Sequence, residues 1–212
     1  MSKERKPNAN IVVPLCYGTV STHLGKKGSN DYHSHRWTAY VRAADPKANH
    51  DLSPVISRVV FKLHPSFKHP NRSIEKPPFE VTETGWGEFE IGITIHFHED
   101  TGEKPLEVTH NLKLYQEGQS QASQGAAAKV PVVSEKYDEI VFVEPLATFN
   151  ERYLATTFLE MPPNPLEPHW IAHDDKAEIA SLEEARRKVK TQREALEMQV
   201  ASAEAELKRL RD

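Results

Sequence analysis

The residues best placed by type to do chemistry lie in the stretch Leu63 to Phe97, LHPSFKHPNRSIEKPPFEVTETGWGEFEIGITIHF. His64, Ser66 and Phe67 follow one apolar run, while Gly85, Trp86, Gly87 and Phe89 form a turn just before another. Such strand ends and turns form the binding loops of a sandwich fold. Two aromatic rings facing each other across a slot stack on both faces of a planar amide, while a hydroxyl and a backbone N–H fix its polar atoms. A neutral amide with an apolar tail, such as an acylated lysine, has the matching shape and polarity. Glycines beside Trp86 would let the chain turn sharply and let a ligand approach its N–H. Read from spacing alone, Phe67 and Trp86 serve equally well as core and Ser66 as a turn residue, so both readings stand here.

Other chemistries fit less well. Ser66 and His64 could pair as nucleophile and base, but a two-residue spacing does not ensure contact. No nucleophile elbow or third member accompanies them, so no catalytic residue is expected. His33 with His35, and His96 with His98, each offer two zinc ligands without a third, and no metal or cofactor is expected. The single cysteine, Cys16, excludes an intramolecular disulfide and a Cys-based zinc site, and reads as a packed thiol in a reducing compartment.

A net charge of -4 leaves no electrostatic footprint for direct high-affinity nucleic-acid binding. No apolar run approaches the ~18 residues of a membrane span, so no membrane partner is expected. The N-terminus MSKERKPNAN is charged and the apolar stretch behind it is broken by Pro14, unlike a secretory signal.

The elements that must position these residues alternate with period two. Phe89, Ile91, Ile93, Ile95 and Phe97 are apolar, with Glu90, Gly92, Thr94 and His96 between them, as a half-buried strand requires. Weaker alternation marks Trp37 to Val41, Val59 to Leu63, Leu106 to Leu114 and Ile140 to Phe142. Ile11 to Val20 and Phe79 to Thr84 add two more strands. Roughly seven short strands separated by turn clusters predict an all-β, immunoglobulin-like antiparallel sandwich. Gln116 to Lys129 is low-complexity and polar, and reads as a mobile loop. Pro145 opens a predicted helix over Leu146 to Glu160, and the proline-rich residues 161–173 read as an extended linker.

The segment 174–212 contains no Gly or Pro and predicts a coiled-coil helix. Ile179, Arg186, Arg193, Val200 and Leu207 take one seam position, and Leu182, Val189, Leu196, Ala203 and Leu210 the other. Two seam arginines repel in a parallel homodimer, which favours a different chain with an acidic seam. An antiparallel homodimer and a solvated single helix are the alternatives.

Three separated motifs, WTAYVR from Trp37, VFKLHPSF from Val60 and KPPFEVTETGWGEFEIGITIHF from Lys76, resemble the YEATS domain family. The resemblance covers roughly residues 8–160, and the GWGEF form and the coiled-coil tail are similar to its chromatin-remodeller and histone acetyltransferase branch. It implies a non-catalytic nuclear subunit that binds acetyl-lysine and crotonyl-lysine on histone tails in an aromatic slot. It further implies that Phe67 and Trp86 sandwich the acyl group. Ser66 would bond the amide of the modified lysine, and the Trp86 backbone N–H the acyl oxygen. His64 would support Ser66, while Phe89, His33, Gly85 and Gly87 would line the slot. Other subunits of remodelling and acetyltransferase complexes would join through the C-terminal helix, supporting transcription regulation and DNA repair. A scaffold subunit with a vestigial slot, acting only in assembly, is the competing reading.

Overall fold

The computed structural model describes residues 4–25, 33–45, 51–116, 130–173 and 175–211. Apart from Gln116, the low-complexity segment lies outside the described residues. Two four-stranded antiparallel sheets face each other: β5-β2-β1-β8 and β4-β3-β6-β7. The strands are β1 (Asn10–His23), β2 (His35–Ala43), β3 (Ile56–Lys62), β4 (Asn71–Ile74), β5 (Phe79–Gly85), β6 (Glu90–Phe97), β7 (Leu106–Asn111) and β8 (Val132–Val143).

Alternation explains the core. In β6 the residues Ile91, Ile93 and Ile95 are buried, as are Ile11, Val13, Leu15 and Tyr17 of β1 and Trp37, Ala39 and Val41 of β2. The β1–β8 ladder approaches very closely at Gly18, where an added Cβ would sit 2.3 Å from the Ser134 carbonyl oxygen, so only glycine fits. Strand β4 lies between Phe67 and Phe79, where no strand is expected from the sequence; its NRSI has too little apolar alternation to announce one.

The β5-β2-β1-β8 sheet is also covered on its outer face, where Cys16, Tyr40 and Arg42 are buried. Burial pushes the Cys16 thiol up to about 11, as an inert packed cysteine requires. The cover is the proline-rich segment expected as a spacer. Trp170 lies over the Arg42 guanidinium at 4.8 Å, Arg42 Nη2 donates to Ile171 O at 3.0 Å, and Asn164 Nδ2 donates to Glu80 Oε2 at 3.0 Å. Beneath it Arg42 pairs with Glu135 at 2.6 Å, with side chains only 4% and 3% exposed.

Helix α1 (Ala147–Ala155) ends five residues before the expected Glu160. The reason is local: Thr156 turns extended, and its hydroxyl donates to Arg152 O at 2.8 Å, taking up a C-terminal carbonyl. Phe149 packs on Phe142, and Arg152 grips Asp100 with two bonds of 2.6 and 2.9 Å, fixing α1 to one end of the sandwich. The Asn10 end of β1 pairs with Val143 there, whereas its His23 end pairs with His35 at the far end.

The chain divides into two compact units, one up to Ala172 and one from His173. The second holds helix α2 (Lys176–Arg211), 36 residues long. Ile179, Leu182, Val189, Leu196, Val200, Leu207 and Leu210 are exposed along it, so this helix carries an apolar stripe without a core of its own. Pairs such as Glu184–Lys188 at 2.8 Å and Arg193–Glu197 at 3.3 Å support it along its length. Among the described residues no helix is long and apolar enough to cross a membrane.

Candidate binding slot

The far end of the sandwich, away from α1, gathers the candidate residues from loops distant in sequence. The β2–β5 ladder pairs His35 with Gly85, so the GWG tip begins where β2 begins. On the opposing sheet, β3 runs out at Lys62 into a turn in which Phe67 N–H donates to His64 O at 3.0 Å.

An aromatic cluster floors this end. Trp37 is 1% exposed and meets Phe67 at 5.8 Å and Phe89 at 5.7 Å, both edge to face. Phe67 and Phe89 lie 5.7 Å apart, and His64 approaches Phe89 at 6.0 Å. Trp37 Nε1 is buried without a hydrogen-bond partner among the described residues. Phe67 and Phe89 are only partly buried, whereas Trp86 at the tip is 58% exposed. Core packing therefore accounts for Trp37, while Trp86 offers its ring to solvent.

The polar groups sit beside these rings. Ser66 Oγ lies 2.8 Å from His64 Nδ1, which also accepts the Ser66 backbone N–H at 3.2 Å. An Nδ1 that accepts from the backbone carries no hydrogen of its own, so the Ser66 hydroxyl is the donor in this contact. The contact that the two-residue spacing could not ensure is thus made, in the form of a local turn. His33 Nδ1 is 2.7 Å from Thr84 Oγ1, which holds it beside the end of β5.

The chain bends at Trp86 and Gly87, as expected of this tip, but without a left-handed glycine. Neither Gly85 nor Gly87 is in the left-handed region; a Cβ at Gly85 would reach 3.5 Å from Trp37 Nε1, and one at Gly87 would meet nothing within 4 Å. They keep the mouth free of side chains. Below the tip, His35 is buried against His23 and Tyr115, and desolvation lowers its pKa to about 4, so it is a neutral structural group. His98 Nε2 contacts Ser53 O at 2.7 Å, and the described residues contain no cluster of three or more metal-ligating side chains.

Sequence reasoning missed Trp37 and Glu88 as parts of this end. The Glu88 carboxylate bonds to the loop after β7, accepting the Leu114 N–H at 2.7 Å. Trp37 shares its alternation with ordinary core residues; only the His35–Gly85 pairing distinguishes it, and that pairing is tertiary.

Comparisons with known proteins agree with this fold. The family described as the YEATS family matches residues 32–116. Transcription initiation factor TFIID subunit 14b of Arabidopsis thaliana is 50% identical over 164 residues, 76% of this chain. That match spans 59% of the Arabidopsis protein's length. The AF-9 homolog of Eremothecium gossypii is 39% identical over 166 residues, covering 76% of this chain and 74% of that one. A solved Yaf9 YEATS domain bound to H3K27ac superimposes with a TM-score of 0.59 at 39% identity, over 72% of this chain and 99% of that one. A second, described as recognizing an H3K122suc peptide, gives 0.56 at 39% identity, over 70% and 96%. With two facing four-stranded sheets, motifs in order and a relative at this identity over this length, the chain belongs to the YEATS family.

Proposed function

We propose that this protein is a non-catalytic reader of acylated lysine on histone tails. One observation carries the reading: the tip that bears the exposed Trp86 starts at Gly85, where a Cβ would lie 3.9 Å from the half-buried Phe67 ring, at the end of the sandwich where Ser66 Oγ lies 2.8 Å from His64 Nδ1. Phe67 and Trp86 stack on the two faces of the acyl amide. Ser66 accepts the N–H of the modified lysine, and the Trp86 backbone N–H donates to the acyl oxygen. His64 orients Ser66, while His33, Phe89 and the side-chain-free Gly85 and Gly87 bound the slot. The Yaf9 domains solved with acetylated and succinylated H3 peptides support the ligand class.

Acylation is readable because it changes desolvation. A free ammonium loses strong hydration on entering an aromatic slot, whereas the amide loses less and gains two oriented hydrogen bonds. For a shallow site and a flexible peptide, a dissociation constant on the order of micromolar to tens of micromolar is expected, about 6–8 kcal/mol. The His64–Ser66 contact does not make an esterase, because the same Nδ1 also takes the Ser66 backbone N–H, the geometry of a turn.

Residues 8–160 form the reading domain, and helix α2 docks the protein in nuclear remodelling and acetyltransferase complexes through its heptad seam. Arg186 and Arg193 on that seam select a partner helix with acidic residues opposite. The exposed stripe of α2 also favours a scaffold role, which coexists with reading and is separable from it. The deciding experiment titrates the protein with unmodified, acetylated and crotonylated histone-tail peptides. Micromolar binding of the acylated forms with at least tenfold weaker binding of the unmodified one is expected; equal affinity for all three would leave only the scaffold.

A further inference from the structure

Glu88 sits between Gly87 and Phe89, and its carboxylate is spent on another loop. Oε1 accepts the backbone N–H of Leu114 at 2.7 Å and of Tyr115 at 3.4 Å, while Oε2 lies 3.6 Å from Lys113 Nζ. One step earlier, Leu112 N–H donates to Phe89 O at 2.9 Å, carrying the β6–β7 ladder into the same loop. That loop is rigid ground. Leu112 and Leu114 are buried, Ser21 Oγ donates to Lys113 O at 2.8 Å, and the Tyr115 ring packs edge-on against buried His35 at 5.3 Å.

The other end of the tip is held from the same place, since His35 pairs with Gly85 and Ser34 Oγ donates to Gly85 O at 3.3 Å. Only Trp86 and Gly87 remain between the two anchors; a Cβ at Gly87 would meet nothing within 4 Å and Trp86 is 58% exposed, so packing does little to hold them. Trp86 is therefore only as well oriented as Glu88 and Gly85 make it.

We infer that Glu88 is a positioning residue, a carboxylate clip that ties the GWG tip to the 112–115 loop and sets the angle of the Trp86 ring and N–H. The inference rests on the slot being the acyl-lysine site. Without the clip the tip samples many orientations, and a ligand must order it at the expense of affinity. The loss falls on binding, because the core contacts of Leu112 and Leu114 do not depend on the carboxylate. A different role, direct attraction of a cationic histone tail, is distinguishable. Glu88→Gln keeps a carbonyl acceptor for the two N–H groups and removes the charge, whereas Glu88→Ala removes both.

The test uses the full chain, a crotonylated H3-tail peptide and three proteins: wild type, Glu88→Gln and Glu88→Ala. The Ala variant should bind about tenfold more weakly, while the Gln variant stays within about threefold of wild type. In the ligand-free Ala variant the Leu114 amide should exchange with deuterium about tenfold faster, with the melting temperature lowered by no more than about 3 °C. Wild-type affinity or unchanged Leu114 protection in the Ala variant would overturn the clip. Equal weakening of the Gln and Ala variants would assign Glu88 to charge attraction instead. If wild type bound no acyl peptide, the slot reading would fail, while amide exchange would still report on the clip by itself.

Discussion

Replacing Trp86 by alanine removes one wall of the proposed slot without touching the core. Trp86 is 58% exposed, so with ~250 Å² for a whole tryptophan about 140 Å² of it faces solvent in the free protein. An acyl amide stacked on one face covers roughly half of that, and at ~25 cal/mol/Å² this contributes about 1.8 kcal/mol. The oriented stacking adds about 1 kcal/mol. Losing both costs about 2.5–3 kcal/mol, on the order of 100-fold in affinity, which moves a dissociation constant of tens of micromolar into the millimolar range. An exposed side chain contributes little to folding, so stability should change by no more than ~0.5 kcal/mol. Calorimetric or fluorescence-polarisation titration with a crotonylated H3-tail peptide, alongside thermal unfolding, measures both effects. Trp86→Phe, which keeps a flat ring, should recover most of the loss. Binding by Trp86→Ala within threefold of wild type, at an unchanged melting temperature, would refute the stacking argument.

Trp170→Ala should uncover the Arg42–Glu135 pair and lose its contact at 4.8 Å, destabilising by about 2–3 kcal/mol and lowering the melting temperature by roughly 6–10 °C. Glu135→Ala should cost more, about 3–5 kcal/mol, because it leaves a buried guanidinium unpaired; a smaller loss than in Trp170→Ala would contradict this account of the pair. His35 and His110 are buried, and desolvation holds both pKa values down to about 4. The folded state keeps them neutral while the unfolded state protonates near 6.5. Their contribution is therefore complete above about pH 6.5 and falls as pH drops towards 4, by up to about 1.4 kcal/mol per pH unit for each. Urea midpoints that stay constant between pH 7 and 5 would contradict that sign. Deleting 174–212 should leave acyl-peptide affinity unchanged and abolish co-purification with partner subunits, and Arg186→Glu with Arg193→Glu should weaken that assembly alone.

Much of the fold is legible in the sequence because a half-buried strand writes its period directly into residue types. The five apolar positions of Phe89 to Phe97 are the plainest case. Strand β4 escapes because Asn71–Ile74 pairs at a sheet edge, where burial demands little of its side chains. The proline-rich segment reads as a spacer because prolines break helices and strands, yet the same rings are good apolar cover for Tyr40 and Arg42. Its role depends on Trp170 finding Arg42, more than a hundred residues away.

At the proposed slot, residue types and motif order single out Phe67, Trp86, Ser66 and His64, and the heptads single out α2 as a separate helix with an apolar stripe. These are local properties: periodicity, side-chain chemistry and short-range spacing need no fold to be read. What only the tertiary structure decided is which loops meet. The pairing of His35 with Gly85, the Trp37 floor under Phe67 and Phe89, and the reach of Glu88 to Leu114 all join segments 25 or more residues apart. They arise from ladder register and from packing between two sheets, whose energies depend on positions that chain order does not specify.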